Sequence, residues 1–335
     1  MTKSILKFIF LSLGFLFFVL AVQAVDLEYV GRLLIQMGVG IIGLIAFNAL
    51  INWIDAVSWK YAFPAAGPAP LNSGGLWRIR IIGEAFNIIT PLGTLGGEPL
   101  KAQLLKERYG LSLKQGLASQ IVARTTLLIG QILFMIPGVV LLILSPVAAP
   151  DFKNITATFL VVFSVLIALF LLFQITGILG KLTGWVEKWI PRWAEADFLS
   201  QLKRLDSLMS DYYRHHPRRF LGSVGYAFTG WLLGVVELYL TLYFLGFPLD
   251  FTELWIIEAV IQLIRVCSFY IPLSLGAQEG GLVLTFISLG MRGDLGLAVS
   301  FVRRIRELFW VAAGLILGGG MQLKSSPVQA ENTES

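Results

Sequence analysis

Apolar residues in this chain come in long runs instead of alternating with polar positions. Six runs are long enough to cross a bilayer core about 30 Å thick, which takes about 20 helical residues. They are residues 5–25, 35–59, 115–144, 155–178, 219–245 and 295–318. The pattern predicts an all-α polytopic membrane protein with six full transmembrane helices. The first run could instead be a signal peptide, because Lys3 and Lys7 lie at its start, but its length favours an uncleaved helix.

Two further apolar segments, residues 76–106 and 255–290, are interrupted by charges, prolines and glycines. The interrupting residues include Glu84, Asn87, Pro91 and Glu98 in the first segment and Glu258, Arg265, Pro272 and Glu279 in the second. Irregular backbone at membrane depth is tolerated only where it is buried in protein or lines a water-filled cavity. Each segment is therefore predicted to form a re-entrant helical hairpin that turns near its proline.

The two interrupted segments share a set of spaced landmarks. Each has a proline, a glutamate seven residues later, a glycine 11 or 12 residues further on, and an arginine 14 residues after that glycine. The landmarks are Pro91, Glu98, Gly110 and Arg124 in one segment and Pro272, Glu279, Gly290 and Arg304 in the other. This match predicts a duplication with repeat units at about 76–144 and 255–318.

Loop charge gives a predicted topology. Residues 181–219 carry eight Lys/Arg and five Asp/Glu, and apolar residues recur there at helical spacing. This predicts an amphipathic helix over about 181–217 on the membrane surface, with a solvated linker as the alternative. The positive-inside rule places it in the cytoplasm. Counting spans from it places both termini in the cytoplasm and inserts the two hairpins from opposite faces, which makes the repeat inverted.

Residues 1–320 then form one transmembrane domain, and the polar tail 321–335 is expected to be disordered.

Composition supports the membrane assignment and narrows the chemistry. Of 335 residues, 56% are hydrophobic and 14% charged, whereas a soluble domain has about 25% charged residues. The net charge of +5 comes from loop residues, so it indicates topology rather than nucleic-acid binding. Cys267 is the only cysteine, which excludes an intrachain disulfide and a cysteine-based metal cluster. No Walker motif is present, so neither ATP, a metal nor another cofactor is expected.

Charged residues within the apolar segments are the candidate binding residues. Each costs at least about 2.5 kcal/mol at the centre of a lipid-facing helix, so they should pair or line a polar cavity. Arg124 and Arg304 are expected to bind an anionic headgroup, because a guanidinium binds phosphate with two hydrogen bonds. Glu98 and Glu279 would orient these arginines or bind a cation or a proton. The alternative is that Glu98–Arg124 and Glu279–Arg304 are structural ion pairs.

Two further groups of polar residues have predicted orientations. Arg303 and Arg306 are expected to face the membrane interface. Residues on one face of the second span are spaced four and three apart and should point away from lipid; they are Asn48, Asn52 and Asp55.

At these motifs the sequence resembles a known family. The first block is Gly83-Glu84-Ala85-Phe86-Asn87, then Pro91, then Gly97-Glu98 with Lys101. The second is Gly276-Ala277-Gln278-Glu279-Gly280-Gly281, then Leu289-Gly290, then Arg303-Arg304-Ile305-Arg306-Glu307. Both resemble the signatures of the lysylphosphatidylglycerol synthase transmembrane (flippase-like) family, and the second is most similar to the hopanoid-biosynthesis-associated subgroup. Two positions depart from that pattern: Lys101 stands where the family often has arginine, and Leu273-Ser274-Leu275 replaces a common double glycine.

The resemblance implies a bacterial inner-membrane protein that moves a lipid between leaflets and is not an enzyme. The lipid is expected to be anionic or of polyprenyl or hopanoid type. Membrane lipids, and lipid-synthesis enzymes as further partners, fit this role, whereas nucleic acid does not. The alternatives are a non-transporting accessory subunit of a lipid or glycan pathway and a membrane enzyme acting on lipid phosphates. The expected binding and translocation residues are Glu84, Asn87, Pro91, Glu98, Lys101, Arg124, Glu258, Arg265, Pro272, Glu279 and Arg304.

Overall fold

A computed structural model describes residues 16, 18–64, 71–89, 96–178, 196–268, 271 and 274–322. Within these ranges every regular element is a helix, as the sequence predicts. The principal helices, in chain order, are α1 Leu27–Met37, α2 Gly40–Tyr61, α3 Ser73–Ile89, α4 Glu98–Tyr109, α5 Leu113–Leu144, α6 Pro150–Thr176, α7 Ala196–His215, α8 Pro217–Phe244, α9 Phe251–Cys267, α10 Ala277–Ser288 and α11 Gly293–Gln322.

Four of the described helices, α2, α5, α6 and α8, are long and apolar enough to cross a membrane. They coincide with four of the six predicted runs. Helix α11 covers the last predicted run and has 30 residues, but its charged stretch at 303–307 makes it less apolar. Most of the first predicted run falls at residues 1–15 and 17, outside the described residues.

Each interrupted segment is a pair of helices. Helices α3 and α4 are separated at residues 90–97, and α9 and α10 at residues 268–276. The predicted turn residues Pro91 and Pro272 lie outside the described residues. Helix α4 starts with a proline in its first turn, where the missing N–H has no helical partner to lose. Helix α10 follows Gly276, whose φ of +76° favours glycine.

The helices pack in a reciprocal pattern. Helix α3 packs on the long helix α11, while α9 packs on the long helix α5. Helices α4 and α10 each pack on the long helix that follows them, α5 and α11. The helices that precede the two units, α2 and α8, pack against one another. The first helix of each interrupted segment therefore packs on the long helix that follows the other segment.

Apolar residues form both the interior and the outer surface of the bundle. The larger buried cluster includes Phe134 and Phe286, both fully buried. The helix α6 turns much of its surface outwards, with Val161, Leu166 and Leu169 more than half exposed. Because a soluble protein rarely exposes a large continuous apolar patch, this face is suited to contact with lipid.

Helix α7 covers the described part of the predicted amphipathic helix, while residues 179–195 lie outside the described residues. It is docked through two tyrosines. The Tyr212 hydroxyl donates to the carbonyl oxygen of Tyr61 at 2.8 Å, and that of Tyr213 donates to Oε1 of Gln174 at 2.6 Å. Burial raises the pKa of both tyrosines above the ordinary value, so both hydroxyls stay protonated as donors at neutral pH.

Candidate functional site

Two glycine–glutamate pairs bring α3 and α4 together. A Cβ atom on Gly97 would lie 1.9 Å from the carbonyl oxygen of Gly83, so the two backbones touch at a point that only glycine permits. Glu84 and Glu98 directly follow these glycines. The close backbone approach therefore sets the two carboxylates side by side.

Lys101 stands between the two carboxylates. Its Nζ lies 2.7 Å from Oε1 of Glu84 and 3.1 Å from Oε1 of Glu98. The residue is only 5% exposed, and its stem passes over Gly83, where a Cβ atom would meet the Lys101 Cε at 2.2 Å. The lysine thus supplies the positive charge that allows two partly buried carboxylates to lie next to each other.

Asn87 links the end of α3 to the start of α4 through hydrogen bonds. Its Oδ1 accepts the backbone N–H of Gly97 at 2.7 Å. Its Nδ2 donates to Oε2 of Glu84 at 3.2 Å and to Oε1 of Glu98 at 3.5 Å. One buried amide thereby ties the end of α3 to the start of α4 and to both glutamates.

Arg124 joins these residues in a pocket of about 80 Å³. The pocket is lined by Glu84, Glu98, Lys101 and Arg124, together with Asp55 and Arg80. Arg124 is exposed, whereas Lys101 is buried. The predicted proximity of Glu98 and Arg124 is therefore present as a shared pocket. We call the group Arg80, Glu84, Glu98, Lys101 and Arg124 the first charged site.

In the second unit the predicted contact between Glu279 and Arg304 is present. Arg304 Nε lies 2.8 Å from Oε1 of Glu279, and Arg304 Nη1 lies 3.0 Å from Oε2 of Glu307. Glu279 also accepts the backbone N–H of Gly276 at 2.7 Å, at the start of α10. Its side chain is only 2% exposed, so this pair is sealed inside the fold.

A second buried pair was not expected in this form. Arg303 binds Glu258 directly, and Gln262 donates to the same carboxylate at 2.6 Å. The prediction that Arg303 faces the membrane interface is wrong, because the residue is only 7% exposed. The physical reason is that Glu258, 3% exposed on the apolar helix α9, needs a counter-charge. We call the group Glu258, Arg265, Glu279, Arg303 and Arg304 the second charged site.

Arg306 departs from its prediction in the same way. It binds Glu237 of α8, and its side chain is 14% exposed, so it too points into the protein. Arg265 is the more open arginine, with a side chain 38% exposed and Nη2 3.6 Å from Oε1 of Glu307. Arg265, Arg303 and Arg306 line a pocket of about 150 Å³ together with Glu237 and Glu258.

The polar face of α2 connects the two pockets, as its predicted inward orientation requires. Arg80 binds Asp55 at 2.6 Å and donates to Oδ1 of Asn52 at 2.6 Å. Asn52 donates to Oδ1 of Asn48 at 2.9 Å, and Asn48 donates to Oε2 of Glu237 at 3.1 Å. Asp55 lines the first pocket and Asn48 lines the second. A continuous line of hydrogen bonds therefore runs from one pocket to the other.

Arg80 was missed as a candidate residue. Its signal was available, because it precedes Glu84 by four residues and so shares a helical face with it.

Pro91 and Pro272 lie outside the described residues. Among the residues described, no group of three or more His, Cys, Asp or Glu side chains could hold a metal ion.

These features define a polytopic helical membrane protein with charged pockets inside an apolar bundle. The chain belongs to the family of the lysylphosphatidylglycerol synthase TM region, whose family model matches residues 4–314. It is thus a multi-pass membrane protein linked to lipid metabolism or transport. No curated protein and no solved structure matches the chain significantly.

Proposed function

We propose that this protein is a lipid flippase that moves a lipid with an anionic headgroup across the bacterial inner membrane. The observation that carries the proposal is the line of charged and amide side chains between the two pockets, from Asp55 to Glu237. An apolar bundle has no structural need for so many buried polar groups, because each is costly in lipid. A path for a polar headgroup through the membrane would explain why these polar groups are present.

Arginine chemistry supports an anionic headgroup. The first pocket offers the exposed Arg124, and the second offers Arg265, Arg303 and Arg306. Guanidinium groups bind phosphate oxygens through paired hydrogen bonds. The neighbouring glutamates balance the arginines while no lipid is bound, so the pockets need not hold unpaired charge between transport cycles.

The proposal includes an inverted repeat of two re-entrant hairpins, α3–α4 and α9–α10, and six full membrane spans. Its support is that Gly116 and Arg124 are the fourth and twelfth residues of α5, as Gly296 and Arg304 are of α11. Both glycines pack against the preceding short helix. A Cβ on Gly116 would lie 3.1 Å from the Cα of Ala102 in α4. One on Gly296 would lie 2.7 Å from the backbone oxygen of Leu282 in α10. Interrupted helices in corresponding halves are typical of transporters that alternate access around a shared site.

Localisation and substrate type are part of the same proposal. Both termini are placed in the cytoplasm, since that topology puts the basic segment around α7 inside. The similarity of the second motif to the hopanoid-associated subgroup makes polyprenyl phosphates and hopanoid-type lipids the first candidates to test alongside the anionic phosphatidylglycerol.

Transport is testable in vesicles. The purified protein is reconstituted into liposomes with a fluorescent anionic lipid, and a membrane-impermeant quencher reports how much of the lipid changes leaflet. We expect the wild type to speed the exchange and Arg124→Gln to abolish most of it. Arg32→Gln is the matched control, because Arg32 is an exposed arginine whose ion pair is with Glu28 on the same helix.

Recovery of the lipid after the assay separates transport from catalysis. We expect chromatography to return the lipid chemically unchanged. A folded wild type that accelerates no anionic, polyprenyl-phosphate or hopanoid lipid would contradict the flippase assignment and favour the accessory-subunit alternative.

A further inference from the structure

A third cavity lies on the side of α9 away from the pocket of about 150 Å³. It is a groove of about 320 Å³ between α6, α9 and α10. Its walls are mainly apolar and include Phe159, Leu263, Ile264, Cys267 and Leu284. Such a groove has the size and the lining of a site for a hydrocarbon group.

Among the described residues that line the groove, both side-chain hydroxyls already donate a hydrogen bond to a backbone carbonyl. Thr156 donates to the carbonyl oxygen of Phe152 at 2.7 Å, and Ser268 donates to that of Arg265 at 3.3 Å. A polar ligand would find neither hydroxyl proton available and would lose its hydration on entering the mainly apolar groove. An apolar ligand is therefore favoured.

The groove opens towards the lipid-facing surface. Ile155 and Phe159 on α6 and Leu284 on α10 line it and are each about half exposed or more. Helix α6 is one of the four apolar helices able to cross a membrane. Membrane lipid therefore has direct access to the groove from the side.

Helix α9 separates this apolar groove from a charged pocket. Glu258, Gln262 and Arg265 line the charged pocket, while Leu263 and Cys267 line the groove. Near the C-terminal end of the helix, neighbouring residues line different cavities: Arg265 lines the charged pocket, and Ile264 and Cys267 line the groove. A molecule with one charged and one apolar end fits this arrangement.

We propose that the groove between α6, α9 and α10 binds a hydrocarbon chain of the transported lipid while Arg265 binds its anionic headgroup. This assignment rests on the proposed flippase function and adds where the two parts of the substrate sit. Arg265 is suited to the role because it is the most open arginine of the charged pocket and its contact with Glu307 is long, at 3.6 Å. Its guanidinium can turn to a phosphate while Glu307 keeps its closer contact with Arg304 at 3.0 Å.

Cys267 provides a built-in reporter of the groove. It is exposed, lines the groove and is the only cysteine of the chain. The protein is placed in nanodiscs of phosphatidylcholine alone or of phosphatidylcholine with phosphatidylglycerol, and the rate of Cys267 alkylation by a membrane-permeant maleimide is measured. We expect the rate to fall several-fold when the anionic lipid is present.

Three variants separate the headgroup from the chain. Arg265→Gln should make the alkylation rate independent of the anionic lipid. Ala277→Leu, which adds bulk inside the groove, should slow alkylation in both kinds of disc and slow transport in vesicles. Ala168→Leu adds the same bulk on the exposed side of α6, away from the groove, and should change neither. Monodisperse elution of each variant establishes that it is folded.

The outcomes distinguish the groove from the transport proposal. If Cys267 reacts equally fast in both kinds of disc while vesicles still show lipid exchange, the groove assignment is wrong and the flippase assignment stands. If phosphatidylglycerol protects Cys267 in an Arg265-dependent way but no lipid exchanges, the lipid site stands and transport is wrong. If Arg265→Gln leaves the protection unchanged, the headgroup assignment is overturned.

Discussion

The two charged sites contain the same sequence landmarks, but the counter-charge of the central glutamate comes from a different helix in each. In the first, Glu98 is held by Lys101, three residues later on the same helix. In the second, the residue three positions after Glu279 is the apolar Leu282, and the counter-charge is Arg304, which comes from the following long helix. In the first site one counter-charge therefore comes from the short helix itself, whereas in the second it comes from the long helix.

This difference changes what each long-helix arginine is available to do. Arg124 is exposed in its pocket, while the side chain of Arg304 is only 15% exposed and bonded to two glutamates. We therefore expect a headgroup role for Arg124 and a structural role for Arg304. Arginines at matching positions of the two interrupted segments therefore need not have the same role, since they differ in exposure.

The largest expected effect concerns the buried pair of the second site. Arg303→Ala leaves Glu258 buried without its counter-charge and should lower the free energy of unfolding by about 3–5 kcal/mol. Thermal unfolding of the detergent-solubilised protein measures this. Arg80→Ala is the matched change near the first site and should cost less, because Arg80 and Asp55 are each more than 15% exposed.

A double variant checks the cause. Glu258→Leu combined with Arg303→Leu should recover most of the lost stability, because apolar residues of similar size can replace a buried pair. A double variant as unstable as Arg303→Ala would mean that packing, not charge, explains the loss.

The next effect compares the equivalent arginines directly. Arg304→Gln should destabilise the protein by about 2–3 kcal/mol, because it removes charged hydrogen bonds from the buried Glu279. Arg124→Gln should change stability far less and affect transport more. Equal losses of stability in the two variants would remove the distinction between a structural and a binding arginine.

A smaller effect should appear at the two equivalent glycines. Gly296→Ala forces a Cβ to within 2.7 Å of the backbone oxygen of Leu282, and such overpacking should cost about 2 kcal/mol. Gly116→Ala meets Ala102 at 3.1 Å and should cost less. Chemical denaturation of both variants in the same detergent tests the order, and Gly43→Ala is the control, since a Cβ there meets nothing within 4 Å.

The smallest effect is expected when Lys101 of the first site is replaced by leucine, the residue at the corresponding position of the second site. Lys101→Leu removes the local cation, but Glu84 and Glu98 retain side chains that are 38% and 20% exposed, so water compensates in part. We expect a loss of about 1 kcal/mol, measured by thermal unfolding. Adding Glu84→Gln should restore stability, and a loss as large as that of Arg303→Ala would show that the first site is no more open than the second.

Much of the fold was readable from residue pattern. The runs that became α2, α5, α6 and α8 are set by hydrophobic length, and the helix pairs by the charges and glycines that interrupt them. The inward face of α2 followed from spacing alone, because residues three and four apart share a side of a helix. The ion pair between Glu279 and Arg304 was one of the two alternatives that the spaced landmarks left open. The interface position expected for Arg303 and Arg306 was wrong because burial depends on the neighbouring helices, which hydropathy does not encode.

The sequence by itself determined that this is a helical membrane protein whose informative residues are the charges inside apolar segments. Only the tertiary structure decided how those charges combine. Arg303 binds Glu258, 45 residues away in the sequence, and Arg306 binds Glu237, 69 residues away. The residues next to each arginine do not indicate which glutamate it binds. The physical reason is that hydrophobic length is a property of one segment, whereas an ion pair requires two helices to bring their side chains within about 3 Å of each other.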